Sequence, residues 1–87
     1  MTDKQQQFIA QLKTQNIVVL GAGLTGLSCV RFLQANNVCC RLNDNRLDII
    51  DELSFNEEFP DCQLAQGKWQ QQWLNQAEVI LISPGID

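Results

Sequence analysis

Histidine is absent from the 87 residues, and lysine and arginine form no cluster anywhere. The first absence removes the side chain that most often binds transition metals and moves protons near neutral pH. The second removes the cationic footprint that sequence-independent nucleic-acid binding needs. The balance is instead acidic: the formal charge is −4, and six of the ten acidic residues lie between Asp48 and Asp61. No apolar run approaches the roughly 18 residues of a membrane-spanning helix, and the start Thr2-Asp3-Lys4-Gln5 is too polar for a secretion signal. Cys29, Cys39, Cys40 and Cys62 lack metal-ligand spacing, and no histidine completes a site. Cys39 and Cys40 are neighbours in a predicted strand and so point to opposite faces, which argues against a bridge between them. The four read as reduced, partly buried thiols of a cytoplasmic protein. There is no G-x-x-x-x-G-K-[ST] loop and no convincing pair of metal-binding carboxylates. Nucleic acid, membrane and metal are therefore not expected as partners, and no catalytic residue is assigned within the chain.

What the sequence does contain is organised around Ile17–Gly26. Ile17-Val18-Val19-Leu20 is a short apolar run without polar alternation, suited to a parallel strand buried on both faces. It breaks into G-x-G-x-x-G at Gly21, Gly23 and Gly26, and Leu24, Leu27, Val30 and Leu33 then recur at helical spacing. Strand, glycine turn and helix in that order make the phosphate-cradling unit of a Rossmann-like βαβ fold. The tight exit, the close approach of backbone to an anion and the close helix–strand packing each favour glycine. The helix start adds N–H groups and a partial positive charge.

Along the rest of the chain, Phe8, Ile9 and Leu12 predict a short amphipathic helix within Asp3–Gln15. The helix after the glycine turn is expected over Leu24–Ala35, stopped by Asn36-Asn37, since asparagine tolerates the left-handed conformation. A second strand is expected at Val38–Leu42, closing on Asn43-Asp44-Asn45-Arg46. Asp44 lies 18 positions beyond Gly26, near the spacing of an acidic residue that meets a nucleoside. It equally fits a turn aspartate bonded to its own backbone. Leu47–Glu58 reads as a short helix with a solvated acidic face, Cys62–Ala65 as a third strand and Gln70–Ala77 as a helix. Trp69 and Trp73 on that last segment read as packing residues. Val79–Ile82 is expected to be a fourth buried strand, delivering Ser83-Pro84-Gly85 to its end.

These elements predict an α/β, Rossmann-like parallel sheet of about four strands, order 3-2-1-4, with helices on both faces. Eighty-seven residues allow one domain at most, with a marginal core. The chain stops soon after its fourth strand, so the sheet is expected to be truncated at its C-terminal end. In this topology the glycine loop, Asp44–Arg46 and Ser83–Gly85 all sit at the carboxyl ends of strands and face one crevice. Physical reasoning reaches a nucleotide crevice. An NAD-binding dehydrogenase fragment and a nucleotide-sensing regulatory domain fit it as well.

The assembled motifs carry a closer likeness. Gly21-Ala22-Gly23-Leu24-Thr25-Gly26-Leu27-Ser28-Cys29, Asn43-Asp44-Asn45-Arg46 and Ile82-Ser83-Pro84-Gly85-Ile86 resemble the N-terminal domain of the MurD ligases of the Mur ligase family. The resemblance covers residues 16–87. It implies a peptidoglycan-precursor ligase, acting in cell-wall biogenesis, cell shape and division, that uses ATP and Mg2+ to add D-glutamate to UDP-N-acetylmuramoyl-L-alanine. It also implies that residues 1–87 are the UDP-binding domain alone, with residues 1–15 as an additional helix. The ATP-binding and C-terminal domains would be missing, and the piece would be inactive and without cofactor. The implied UDP-binding residues are Gly23, Leu24, Thr25 and Gly26 at the glycine-loop exit, Asp44, Asn45 and Arg46, and Ser83, Pro84 and Gly85. Within that set Leu24 and Thr25 would meet the diphosphate. Asp44 would accept from the uracil imide N–H, with Arg46 against the base. Asn45 stands where the family leads one to expect threonine.

Overall fold

A computed structural model describes residues 2–83. Helices and strands alternate through it as α1 (Asp3–Leu12), β1 (Ile17–Leu20), α2 (Leu24–Ala35), β2 (Arg41–Asp44), α3 (Glu52–Glu58), β3 (Gln63–Gln66), α4 (Gln71–Gln76) and β4 (Val79–Ile82). The strands form one parallel sheet in the order β3-β2-β1-β4, the expected doubly wound arrangement. Val18 aligns with Arg41 on one side and Ile80 on the other, and Leu20 with Asn43 and Ile82. Aligned residues of parallel strands share a face. Ile17, Val19 and Leu42 therefore lie on one face, where Ile9 and Leu12 of α1, Val30 and Leu33 of α2 and Phe55 of α3 complete the core. Arg41 and Asn43 lie on the other, where the Arg41 guanidinium stacks 5.1 Å from the ring of Trp73 in α4. Helices thus cover both faces.

Local chemistry explains most element ends. Thr2 and Gln5 form a reciprocal capping box at the start of α1, and the Asp51 side chain accepts from Ser54 N–H at the start of α3. At the end of α2, Asn37 takes φ 59°, its N–H donates to Gln34 and that of Val38 to Leu33. This is the double bond of a left-handed helix stop, with asparagine where glycine is more usual.

Three expectations are corrected. The second strand runs over Arg41–Asp44 rather than Val38–Leu42. An apolar pattern cannot reveal that the polar pair Asn43 and Asp44 is buried and fully hydrogen-bonded, which lets the ladder continue through them. The helix expected from Leu47 starts only at Glu52, because Asp48 takes φ 53° and Asp51 supplies the cap. The fourth strand is not buried on both faces: Val79 and Leu81 pack on the core, whereas Ile80 and Ile82 are 43% and 65% exposed.

Those two isoleucines sit on an edge strand whose outer rim is unpaired among the described residues, a template for association with another copy. The chain is expected to self-associate with rising concentration, and Ile82→Lys to shift it toward monomer. Sedimentation velocity of both forms over a concentration series checks this; a wild-type chain that stays monomeric throughout contradicts it.

Candidate nucleotide-binding crevice

Three chain segments leave adjacent strands at their carboxyl ends and meet at one edge of the sheet. After Leu20 the backbone turns sharply through Gly21 at φ 102°, a conformation that disfavours any side chain. Its N–H donates to the Asn43 carbonyl, 2.9 Å away. Gly23 then serves as N-cap of α2 without any side-chain cap bond, and the first turn holds no acidic residue. The amino end of this 12-residue helix therefore presents backbone N–H groups and the positive end of its dipole without a competing carboxylate. Leu24, 87% exposed, and Thr25, also exposed, stand on that rim, while Gly26 is buried beneath it. A Cβ at Gly26 would lie 1.7 Å from the Gly21 carbonyl oxygen. Helix and turn are in backbone contact there, and the approach is open only to glycine.

Asp44, 1% exposed, ties the second segment to the first. One carboxylate oxygen accepts from the Ala22 N–H at 2.8 Å and from Arg46 Nη2 at 2.7 Å. The other accepts from the Arg46 backbone N–H at 2.8 Å and from Arg46 Nε at 3.0 Å. The turn reading of Asp44 thus holds, since it bonds its own loop, and it also braces the glycine turn. The Arg46 guanidinium, helped by the Ala22 and Arg46 backbone N–H groups, draws the Asp44 carboxyl down to about 2 against the opposing effect of burial. Its acceptor positions are all engaged. Arg46 is 58% exposed, whereas the Asp44 side chain it covers is 1% exposed, so the guanidinium can leave only if another donor takes its place on the carboxylate. Asn45 is exposed.

The third segment follows β4. Ser83 is buried, and its N–H donates to the Leu20 carbonyl at 2.9 Å, which fixes the exit of β4 beside the glycine turn. Pro84 and Gly85 lie outside the described residues. Gly23–Gly26, Asp44–Arg46 and Ser83 are thus brought to one edge of the sheet.

Two residues to which sequence reasoning gave no role hold the floor of this edge. Asn43 is fully buried; its amide donates to the carbonyls of Ala65 and Lys68, both at 3.0 Å, and accepts from Gln70 N–H at 2.7 Å. A polar residue at the end of an apolar strand was the available signal. Gln66 pairs in both directions with the backbone of Ile50, at 2.8 and 3.0 Å, and nothing in the sequence pattern marks it. Gly67, also with φ 102°, donates to the carbonyls of both Asp44 and Arg46, so the loop after β3 shapes the turn that carries the charged pair.

The described residues contain no helix long and apolar enough to cross a membrane. The family model described as the Mur ligase MurD-like N-terminal domain matches residues 15–87. The chain belongs to this family. Among curated proteins it is similar to the UDP-N-acetylmuramoylalanine–D-glutamate ligase of Colwellia psychrerythraea, 39% identical over 84 residues, covering 92% of the chain and 18% of that protein. The ligase of the same name from Mannheimia succiniciproducens is 40% identical over 72 residues, and that from Coxiella burnetii 36% over 69, each match spanning 16% of the relative. The chain therefore spans less than a fifth of the length of these MurD ligases. The match begins at residue 15, after α1, so the glycine turn and all four strands fall within the family domain.

Proposed function

We propose that this MurD-like domain binds the UDP moiety of UDP-N-acetylmuramoyl-L-alanine, as the N-terminal domain of an ATP-dependent ligase that adds D-glutamate to that precursor. The observation that carries the reading is the pairing of an uncapped α2 amino end with the buried carboxylate of Asp44, joined through the Ala22 N–H. The two features ask for different parts of one ligand. The diphosphate takes the backbone N–H groups of Leu24 and Thr25 and the Thr25 hydroxyl, with Gly23 and Gly26 keeping the approach clear. The base meets Asp44, whose carboxylate accepts the uracil imide N–H once an Arg46 nitrogen gives up its place. Arg46 then swings outward to lie against the ring, with Asn45 at the rim and Ser83, Pro84 and Gly85 along the opposite wall. Asp44 and Arg46 change partners in this scheme without either becoming an unpaired buried charge.

In this reading the 87 residues supply orientation and remote binding energy. ATP, Mg2+ and D-glutamate are handled by the remainder of the ligase, and these residues alone turn nothing over. A carboxylate at the base position also disfavours a 2′-phosphorylated nucleotide.

Backbone amide NMR titration with UDP and, separately, NAD tests the reading. UDP is expected to shift Gly23–Gly26, Asp44–Arg46 and Ser83, weakly bound because in this reading other ligase domains cover the sugar and peptide, while NAD leaves them nearly unmoved. Equal or larger shifts with NAD would reassign the crevice to a dinucleotide, with Asp44 on a ribose diol.

A further inference from the structure

The opposite edge of the sheet holds a pair of thiols that the nucleotide reading does not use. Cys40 and Cys62 stand one residue before β2 and β3, whose ladder opens with Arg41 beside Gln63. Extending that register by one residue sets the two cysteines side by side. Neighbouring strands run about 4.8 Å apart, within the roughly 4.4–6.8 Å that disulfides span between Cα atoms. The Sγ atoms point toward each other at 3.6 Å, both thiols are free, and both are buried, at 7% and 8% exposure. Cys39, next in sequence, is exposed. A cleft of about 140 Å3 lined by Asn37, Cys39, Asp61 and the pair itself leads in from the surface.

We propose that Cys40 and Cys62 are a disulfide-exchange site: a small disulfide such as oxidised glutathione converts them into a reversible staple between β2 and β3. The Cys40 thiol loses its proton to solvent, and the thiolate attacks one sulfur of the small disulfide. The S–S bond breaks and the first glutathione leaves as a thiolate that takes up a proton. Cys62 then gives up its proton and attacks the Cys40 sulfur of the mixed disulfide, releasing the second glutathione. Two protein thiols are oxidised to one disulfide, and one small disulfide is reduced to two thiols. The order of attack follows from the contact. The 3.6 Å contact with Cys62 holds the Cys40 thiol below its ordinary value against the effect of burial, whereas that same contact, together with burial, raises Cys62. The nucleotide crevice lies at the other end of β2, so the staple closes without touching it.

The test uses the reduced 87-residue chain with oxidised glutathione as the probe, followed by thiol alkylation and peptide mapping without reduction. The expected product is a Cys40–Cys62 cross-linked peptide with Cys29 and Cys39 alkylated, a melting temperature raised by roughly 10 °C, and full reversal by dithiothreitol. Cys39→Ser should keep the cross-link, and Cys40→Ala should abolish it with an unchanged circular dichroism spectrum. A map in which Cys40 and Cys62 are alkylated while Cys39 carries glutathione, or in which Cys39 forms the bridge, overturns the proposal. The wild-type map decides the matter even if Cys40→Ala fails to fold.

Discussion

Gly26→Ala is expected to cost the domain about 3 kcal/mol or more, enough to unfold much of a chain this size at ambient temperature. The added methyl would stand 1.7 Å from the Gly21 carbonyl oxygen and 2.8 Å from its carbon. Both are backbone atoms of a turn already fixed by the Gly21–Asn43 bond. No rotamer relieves the clash, so α2 must lift away from β1, and the contacts of Val30 and Leu33 with the sheet go with it. Gly23→Ala is the informative partner. A Cβ there meets nothing within 4 Å, and the residue's φ of −78° suits any amino acid, so stability should change by less than about 1 kcal/mol. Any loss of UDP affinity in Gly23→Ala then reports on the approach of phosphate rather than on folding. Urea denaturation of both variants alongside UDP titration separates the two roles. A Gly26→Ala chain as stable as wild type would show that the helix can shift freely.

Asp44→Ala is expected to remove both folding energy and ligand. Truncation leaves the Ala22 N–H without its acceptor inside the protein and frees Arg46, a destabilisation of about 2–4 kcal/mol. UDP binding should fall by roughly 10- to 150-fold for the lost charge-assisted bond. Acid dissects the first part. The Asp44 carboxyl sits at about 2 in the fold against an ordinary 3.8. Its depressed value contributes stability that is fully present above about pH 4 and is lost as the pH falls through about 2. The difference corresponds to about 2 kcal/mol. Asp51 is shifted in the same direction by its bonds to Ser54, so wild type must be compared with Asp44→Asn. The asparagine variant should lose stability less steeply between pH 4 and 2. Parallel acid titrations followed by circular dichroism check this, and an equally steep loss in both forms would refute the assignment of this ion pair.

One carboxylate therefore serves twice. Buried at the end of β2, it bonds the glycine turn through Ala22 and so holds that loop in shape. Through Arg46 its charge stays engaged, and under the proposed function a base would take that place. In the proposed reading a donor on the ligand replaces Arg46 while the Ala22 contact stays in place.

The sequence by itself determined the strand, glycine turn and helix of residues 17–35, the sheet order, and which three loops share an edge. Each rests on local physics. β-Branched runs favour strands, glycine alone exits Gly21 at positive φ, Asn37 stops a helix, and parallel strands joined by helices admit few topologies. The pieces it misplaced were those whose conformation is set by distant partners. Where β2 runs was decided by Asn43 and Asp44 reaching Ala65, Lys68, Gln70 and Ala22, bonds that span more than twenty residues. The late start of α3, the exposure of Ile80 and Ile82, and the meeting of Cys40 with Cys62 were likewise invisible in hydrophobic period. Tertiary structure also decided the charged pair. Asp44 and Arg46 are two residues apart in any conformation, but only burial of the carboxylate against the Ala22 N–H fixes their contact and draws the Asp44 carboxyl down.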